Sequence, residues 1–102
     1  MNSVSFENTC FIFQKEKRLL IDKATDTTIP LTEKECELLA ELAKVSPDAL
    51  TKEELLDRVW KYKPDLETHT LESHIYGLRQ KIGNHVDSLF QSTDLGYRLI
   101  TD

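Results

Sequence analysis

Along residues 51–82 the apolar positions recur with the spacing of two successive amphipathic helices. In the second, Leu71, Ile75, Leu78 and Ile82 stand four, three and four residues apart, which holds them on one helix face. Opposite lie His69, Thr70, Ser73, Tyr76 and Gln80, with Arg79 and Lys81 on the flanks. One side of this helix packs on a neighbour and the other presents hydrogen-bonding groups. It is built to read something.

Helix starts are marked twice. Thr32-Glu33-Lys34-Glu35 and Thr51-Lys52-Glu53-Glu54 both match a capping box, in which the Thr hydroxyl and the third-position Glu satisfy otherwise orphaned amides. From the first box, Cys36, Leu39, Leu42 and Ala43 form a stripe that ends before Ser46-Pro47-Asp48. From the second, Leu55, Leu56, Val59 and Trp60 do the same. The third helix starts near Thr68 and stops around Gly83-Asn84, a C-terminal signal. Before these helices, residues 9–13, 18–21 and 27–29 read as short strands with polar links. After them, residues 86–91 and 97–100 read as a hairpin turning at Ser92-Thr93-Asp94-Leu95-Gly96. The expected fold is α+β and a single domain over 1–102. It has an N-terminal antiparallel sheet at about 9–31, a three-helix core over 32–83 and a C-terminal β-hairpin wing over 84–102. That order matches a winged helix-turn-helix, in which the third helix enters the major groove and the wing touches DNA beside it.

The 102 residues, 39% apolar and 30% charged, suit one soluble hydrophobic core. No apolar run approaches the roughly 20 residues that span a bilayer, and the start lacks the basic and apolar regions of a signal peptide. A cytoplasmic protein without a membrane partner is expected. Cys10 and Cys36 fit free buried thiols in a reducing compartment. Two cysteines and three scattered histidines lack metal-ligand spacing, so no metal or cofactor is expected. Gly77, Gly83 and Gly96 are too far apart for a phosphate loop, and no nucleophile pairs with a base, which argues against an enzyme.

The net charge of −5 is unevenly placed. Residues 33–57 hold three bases against eight acids, whereas residues 58–83 hold five bases against three acids. The only positive segment therefore contains the two-faced helix, and Lys61 and Lys63 share it with Arg79 and Lys81. An anionic partner is permitted there and nowhere else.

At this point the residues resemble a known family. Leu31-Thr32 followed by Glu35, Leu38 and Leu39, then Leu50-Thr51 with Leu55 and Val59-Trp60, is similar to the effector domains of OmpR/PhoB-type response regulators. The strongest part is the run from Thr70 through His74-Ile75 to Leu78-Arg79-Gln80-Lys81-Ile82, closed by Gly96-Tyr97-Arg98-Leu99. The resemblance spans about residue 11 to the end. It implies sequence-specific binding of double-stranded promoter DNA for transcriptional regulation, by a protein that is a monomer alone or a dimer on DNA. It also implies a phosphorylated receiver domain elsewhere in the full-length protein. Phosphate contacts would fall on Trp60, Thr70, His74, Arg79 and Tyr97, and base reading on Ser73, Tyr76, Gly77 and Gln80. His69, Lys81, Thr93 and Arg98 complete the implied DNA-binding set. The loop bearing Tyr62, Lys63, Asp65 and Glu67 would be presented to RNA polymerase.

Three features depart from the family pattern: Gly77 where a long polar side chain is common, Asp94 in the wing turn where an Arg is usual, and the acidic balance. They motivate a second reading, a winged helix kept as a protein-interaction module with weakened or lost DNA binding. Duplex binding that falls with salt separates the two.

Overall fold

The computed structural model describes residues 5–61 and 68–101. Four short strands open it: β1 (Ser5–Glu7), β2 (Phe11–Gln14), β3 (Leu19–Asp22) and β4 (Thr27–Pro30). They form an antiparallel sheet in chain order. Strand alternation puts Phe6, Phe13, Leu20 and Ile29 in one cross-strand row, and the last three of these are buried. A two-residue period thus gives this sheet an apolar inner face to set against helices.

Helices α1 (Glu33–Val45) and α2 (Lys52–Trp60) begin at the two capping boxes. In the first, the Glu35 amide donates to Thr32 Oγ1 at 3.2 Å and the Thr32 amide donates to Glu35 Oε1 at 2.9 Å. The second repeats this with Thr51 and Glu54 at 3.0 and 2.9 Å. Between the helices lies β5 (Leu50–Thr51); after α2 come α3 (Thr68–Ile82), a 3-10 segment (Gly83–Ser88), β6 (Phe90–Ser92) and β7 (Gly96–Leu99). The second sheet is ordered β5-β7-β6, so the wing is a three-stranded unit anchored at the start of α2. Gly96 makes that anchoring possible. A Cβ there would sit 1.8 Å from the Leu50 carbonyl oxygen, which no side chain could tolerate. One core joins both sheets and all three helices, from Phe11 and Leu20 through Leu38, Leu42 and Leu55 to Leu71, Leu78 and Leu99.

Several expectations from the sequence require correction. The first sheet has a fourth strand, Ser5–Glu7, whose three residues carry too few apolar positions to show a period. The strand expected from Thr9 starts at Phe11, because the Asn8 side chain captures the Cys10 and Phe11 amides in a turn. The first half of the strand expected over 86–91 belongs instead to the 3-10 segment. Gly83, at φ 79°, ends α3 as expected, but the chain then winds on through Ser88 before extending at Phe90. Strand β5 escaped notice because two residues cannot display a pattern. Both thiols are free, and Cys36 is buried, which pushes its pKa up.

Asn8 is the polar joint between the two ends of the chain. Only 4% exposed, it donates through Nδ2 to the carbonyls of Ser88 at 2.9 Å and Ile100 at 2.7 Å. Its Oδ1 accepts from the Cys10 and Phe11 amides, both at 2.8 Å. Every hydrogen-bonding capacity of the amide is used, and it ties the first sheet to both strands of the wing at their base. Asn8→Ala would strand buried carbonyls and amides, so equilibrium urea unfolding should show a loss of about 2–3 kcal/mol at unchanged m-value. A loss below about 0.5 kcal/mol would mean that these groups find other partners.

Candidate nucleic-acid interface

Burial of Leu71, Ile75, Leu78 and Ile82, none more than 6% exposed, sets the rotation of α3 about its axis. The opposite face then carries His69, Ser73, Tyr76 and Gln80, all exposed, with Tyr76 at 65%. Thr70 is half-buried beside them. His69, Glu72, Ser73 and Tyr76 line a shallow depression on this face. These side chains project from a helix that its neighbours leave uncovered, as insertion into a groove requires.

On one flank α3 meets the wing through Arg79. Its NH2 donates to Ser92 Oγ at 3.0 Å, its NH1 lies 3.7 Å from Asp87 Oδ1, and the guanidinium sits 4.8 Å from the centre of the Phe90 ring. Stacking and forked donation together hold helix and hairpin in register. Phe90 in turn meets the Tyr97 ring edge-on at 6.4 Å. Tyr97 is buried. Arg98 donates twice to Gln91 Oε1, at 3.1 and 2.8 Å, across β6 and β7. Thr93 Oγ1 accepts from the Gly96 amide at 2.9 Å, so its hydroxyl closes the wing turn. Asp94 is exposed at that turn. Lys52 at the start of α2 donates to Glu72 Oε2 at 2.7 Å. The contact raises the Lys52 pKa and lowers that of Glu72, and both groups are at the surface.

The other flank faces α1 and α2. The rings of Trp60 and His74 lie 5.1 Å apart, and Lys34 Nζ stands 5.6 Å over the indole while donating to the Val59 carbonyl at 3.3 Å. Trp60 is half-buried: it packs against the core on one side and meets His74 and Lys34 at the surface. Lys81 turns away from the exposed face: its Nζ donates to Glu35 Oε1 at 2.7 Å and to the Pro30 carbonyl at 3.2 Å. Gly77 borders the same pair, with an added Cβ falling 3.8 Å from Glu35 Oε2, an ordinary contact. Nothing in the structure demands glycine there. Tyr62, Lys63, Asp65 and Glu67 lie outside the described residues.

The sequence signals therefore divide. His69, Ser73, Tyr76 and Gln80 share the outward face, Arg79, Thr93, Tyr97 and Arg98 belong to the wing side, and Trp60, His74 and Lys81 belong to the side of α1 and α2. Lys34, Lys52 and Ser92 escaped sequence reasoning. Each cation sits among glutamates in sequence, which hides that its side chain reaches the margin of α3.

Glu35 is nearly buried, and burial pushes its carboxyl pKa up. The hydrogen bonds from Lys81 and the Thr32 amide, with the Lys81 charge, outweigh burial and leave the pKa below its ordinary value of 4.5. A carboxyl whose pKa is depressed by folding adds stability that is complete above its unfolded value and lost as pH falls through the folded one. Stability should therefore drop as pH is lowered from 4.5 downward, and Glu35→Gln should flatten that part of the profile. Thermal unfolding of both proteins between neutral and acidic pH checks this; parallel profiles would refute it.

Fold and site together define a winged helix-turn-helix of the nucleic-acid-binding class, with its third helix uncovered between two polar margins. Residues 26–99 match the family described as the C-terminal domain of transcriptional regulatory proteins, and the chain belongs to that family of OmpR/PhoB-type DNA-binding effector domains. It is 34% identical over 88 residues to the regulatory protein VanRB of Enterococcus faecalis, a match covering 86% of this chain and 38% of the relative. It is 38% identical over 88 residues to the transcriptional regulatory protein VxrB of Vibrio cholerae, covering 79% of this chain and 35% of the relative. A solved structure described as a streptococcal redox-sensor family evolved from two-component response regulators superposes with a TM-score of 0.78 at 28% identity. That match covers 100% of this chain and 44% of the other. The chain thus spans little more than a third of the curated relatives' length. These findings favour DNA binding over the interaction-module reading. No described helix is long and apolar enough to cross a membrane.

Proposed function

We propose that this domain is the output module of a longer phosphorelay regulator, reading promoter DNA through α3 and gripping the backbone on either side. The observation that carries the reading is the outward row of His69, Ser73, Tyr76 and Gln80, left uncovered while the same helix is buried on its far side. In this reading the wing-side residues Arg79, Tyr97, Arg98 and Thr93 meet one phosphate strand. Trp60, Thr70 and His74 meet the other, with Lys34 and Lys52 adding charge at the margins. Arg79 has five N–H donors, so it can reach a phosphate while keeping its hold on Ser92 and Phe90. Gly77 adds no side chain, and Lys81 acts through Glu35 more than through DNA.

The same proposal extends to the full-length protein. A receiver domain controls the module, two copies meet on DNA, and the loop at Tyr62, Lys63, Asp65 and Glu67 faces RNA polymerase. The setting is the cytoplasm, and the domain binds without catalysing. The acidic faces of α1 and α2 would disfavour approach of DNA from their side, which helps to orient the encounter.

Arg79→Ala should weaken binding to all duplexes alike, by about tenfold, and lower the slope of log Kd against log salt by about one. Mobility-shift titrations across a salt series measure both. Negligible binding at low salt, equal before and after the substitution, would sink the proposal.

A further inference from the structure

Every ionic side chain of α3 in the described structure has a partner off the helix's outward face or along its edge. Arg79 is shared by Ser92, Asp87 and Phe90. Lys81 is held by Glu35 and the Pro30 carbonyl. The Glu72 carboxylate takes the Lys52 ammonium at 2.7 Å. What remains facing outward is His69, Ser73, Tyr76 and Gln80, without a lysine, an arginine or an unpaired carboxylate.

That composition has a consequence for base selection. Guanine is held by Arg or Lys on O6 and N7, and cytosine by a carboxylate accepting from its amino group. To reach guanine with both arms, Arg79 would have to abandon Ser92, Asp87 and the Phe90 ring together. To reach cytosine, Glu72 would have to release Lys52 and approach between phosphates that repel it. A carboxamide fits adenine instead, donating to N7 and accepting from the amino group at N6. Gln80 is exposed and central on the face, and Tyr76, one turn earlier, offers an exposed ring edge to a thymine methyl.

Resting on the DNA-binding reading above, we infer that the outward face of α3 selects A·T base pairs in the major groove, with Gln80 on adenine and Tyr76 against thymine methyl. Ser73 and Gln80 are about 10 Å apart along the helix axis, which matches roughly three base-pair steps. The selected core is therefore short, a run of about three A·T pairs under each copy of α3. Backbone grip from the margins supplies affinity, and this neutral face supplies choice.

Selection of bound duplexes from a randomised library, followed by sequencing, tests the inference with the wild-type chain, Gln80→Ala, Gln80→Arg and Tyr76→Ala. The wild type should enrich adenine over guanine about tenfold at one position. Gln80→Ala should abolish that preference, Gln80→Arg should convert it to guanine, and Tyr76→Ala should weaken the adjoining thymine. A guanine-cytosine core for the wild type overturns the inference, as does an A·T core unchanged in all three variants, and both leave DNA binding standing. Failure of the folded wild type to retain any duplex at low salt would instead remove the DNA-binding reading and this inference with it.

Discussion

Burial of four aliphatic side chains on α3 is the constraint from which the interface follows. Each of Leu71, Ile75, Leu78 and Ile82 is worth about 1.5–3 kcal/mol when removed from water, and all four vanish into the shared core. A helix so held cannot rotate without exposing that stripe. The orientation of His69, Ser73, Tyr76 and Gln80 is thus set by residues that never touch a ligand. Packing density makes the arrangement stiff, and a reading head needs that stiffness.

The wing depends on the same core through different links. Leu89, Phe90, Tyr97 and Leu99 bury beneath it, while β5 and β7 pair only because Gly96 lets the Leu50 carbonyl approach. Asn8 fastens the base of the hairpin to the first sheet, and Arg79 fastens its side to α3. The first sheet, which lies far from the outward face in sequence, therefore helps to hold the element beside it. The buried Asn8 joint serves here because its amide is fully satisfied; a half-satisfied one would cost more than it contributes.

Electrostatics in this chain is local. A net charge of −5 says little about the margin of α3, since the acids of α1 and α2 point elsewhere or pair with cations. Arg58 and Lys44 meet Glu41, and Lys34 meets Glu37. Exposed pairs of this kind add little stability. Their effect is on distribution: they fix which cations stay near the edges of α3 and which, like Lys81, are drawn back to a buried carboxylate. With a Debye length of about 8 Å at physiological salt, only the nearby charges matter to an approaching phosphate.

The three helices, the capped starts of α1 and α2 and the outward face of α3 could be read from the chain alone, because capping boxes and 3.6-residue periods are local properties. The resemblance to OmpR/PhoB-type effector domains rested on such runs, from Thr70 to Ile82 and from Gly96 to Leu99, and the family match agrees with it. Strands of two or three residues left no period, so Ser5–Glu7 and Leu50–Thr51 emerged only when partners were in place. The partners of Arg79, Lys81, Trp60 and Glu72 were equally invisible, for a side chain's fate among several possible contacts depends on residues distant in sequence. Local chemistry determined which face would look outward; only the folded arrangement decided which charges would remain on it, because ion pairs form across elements that the linear pattern does not connect.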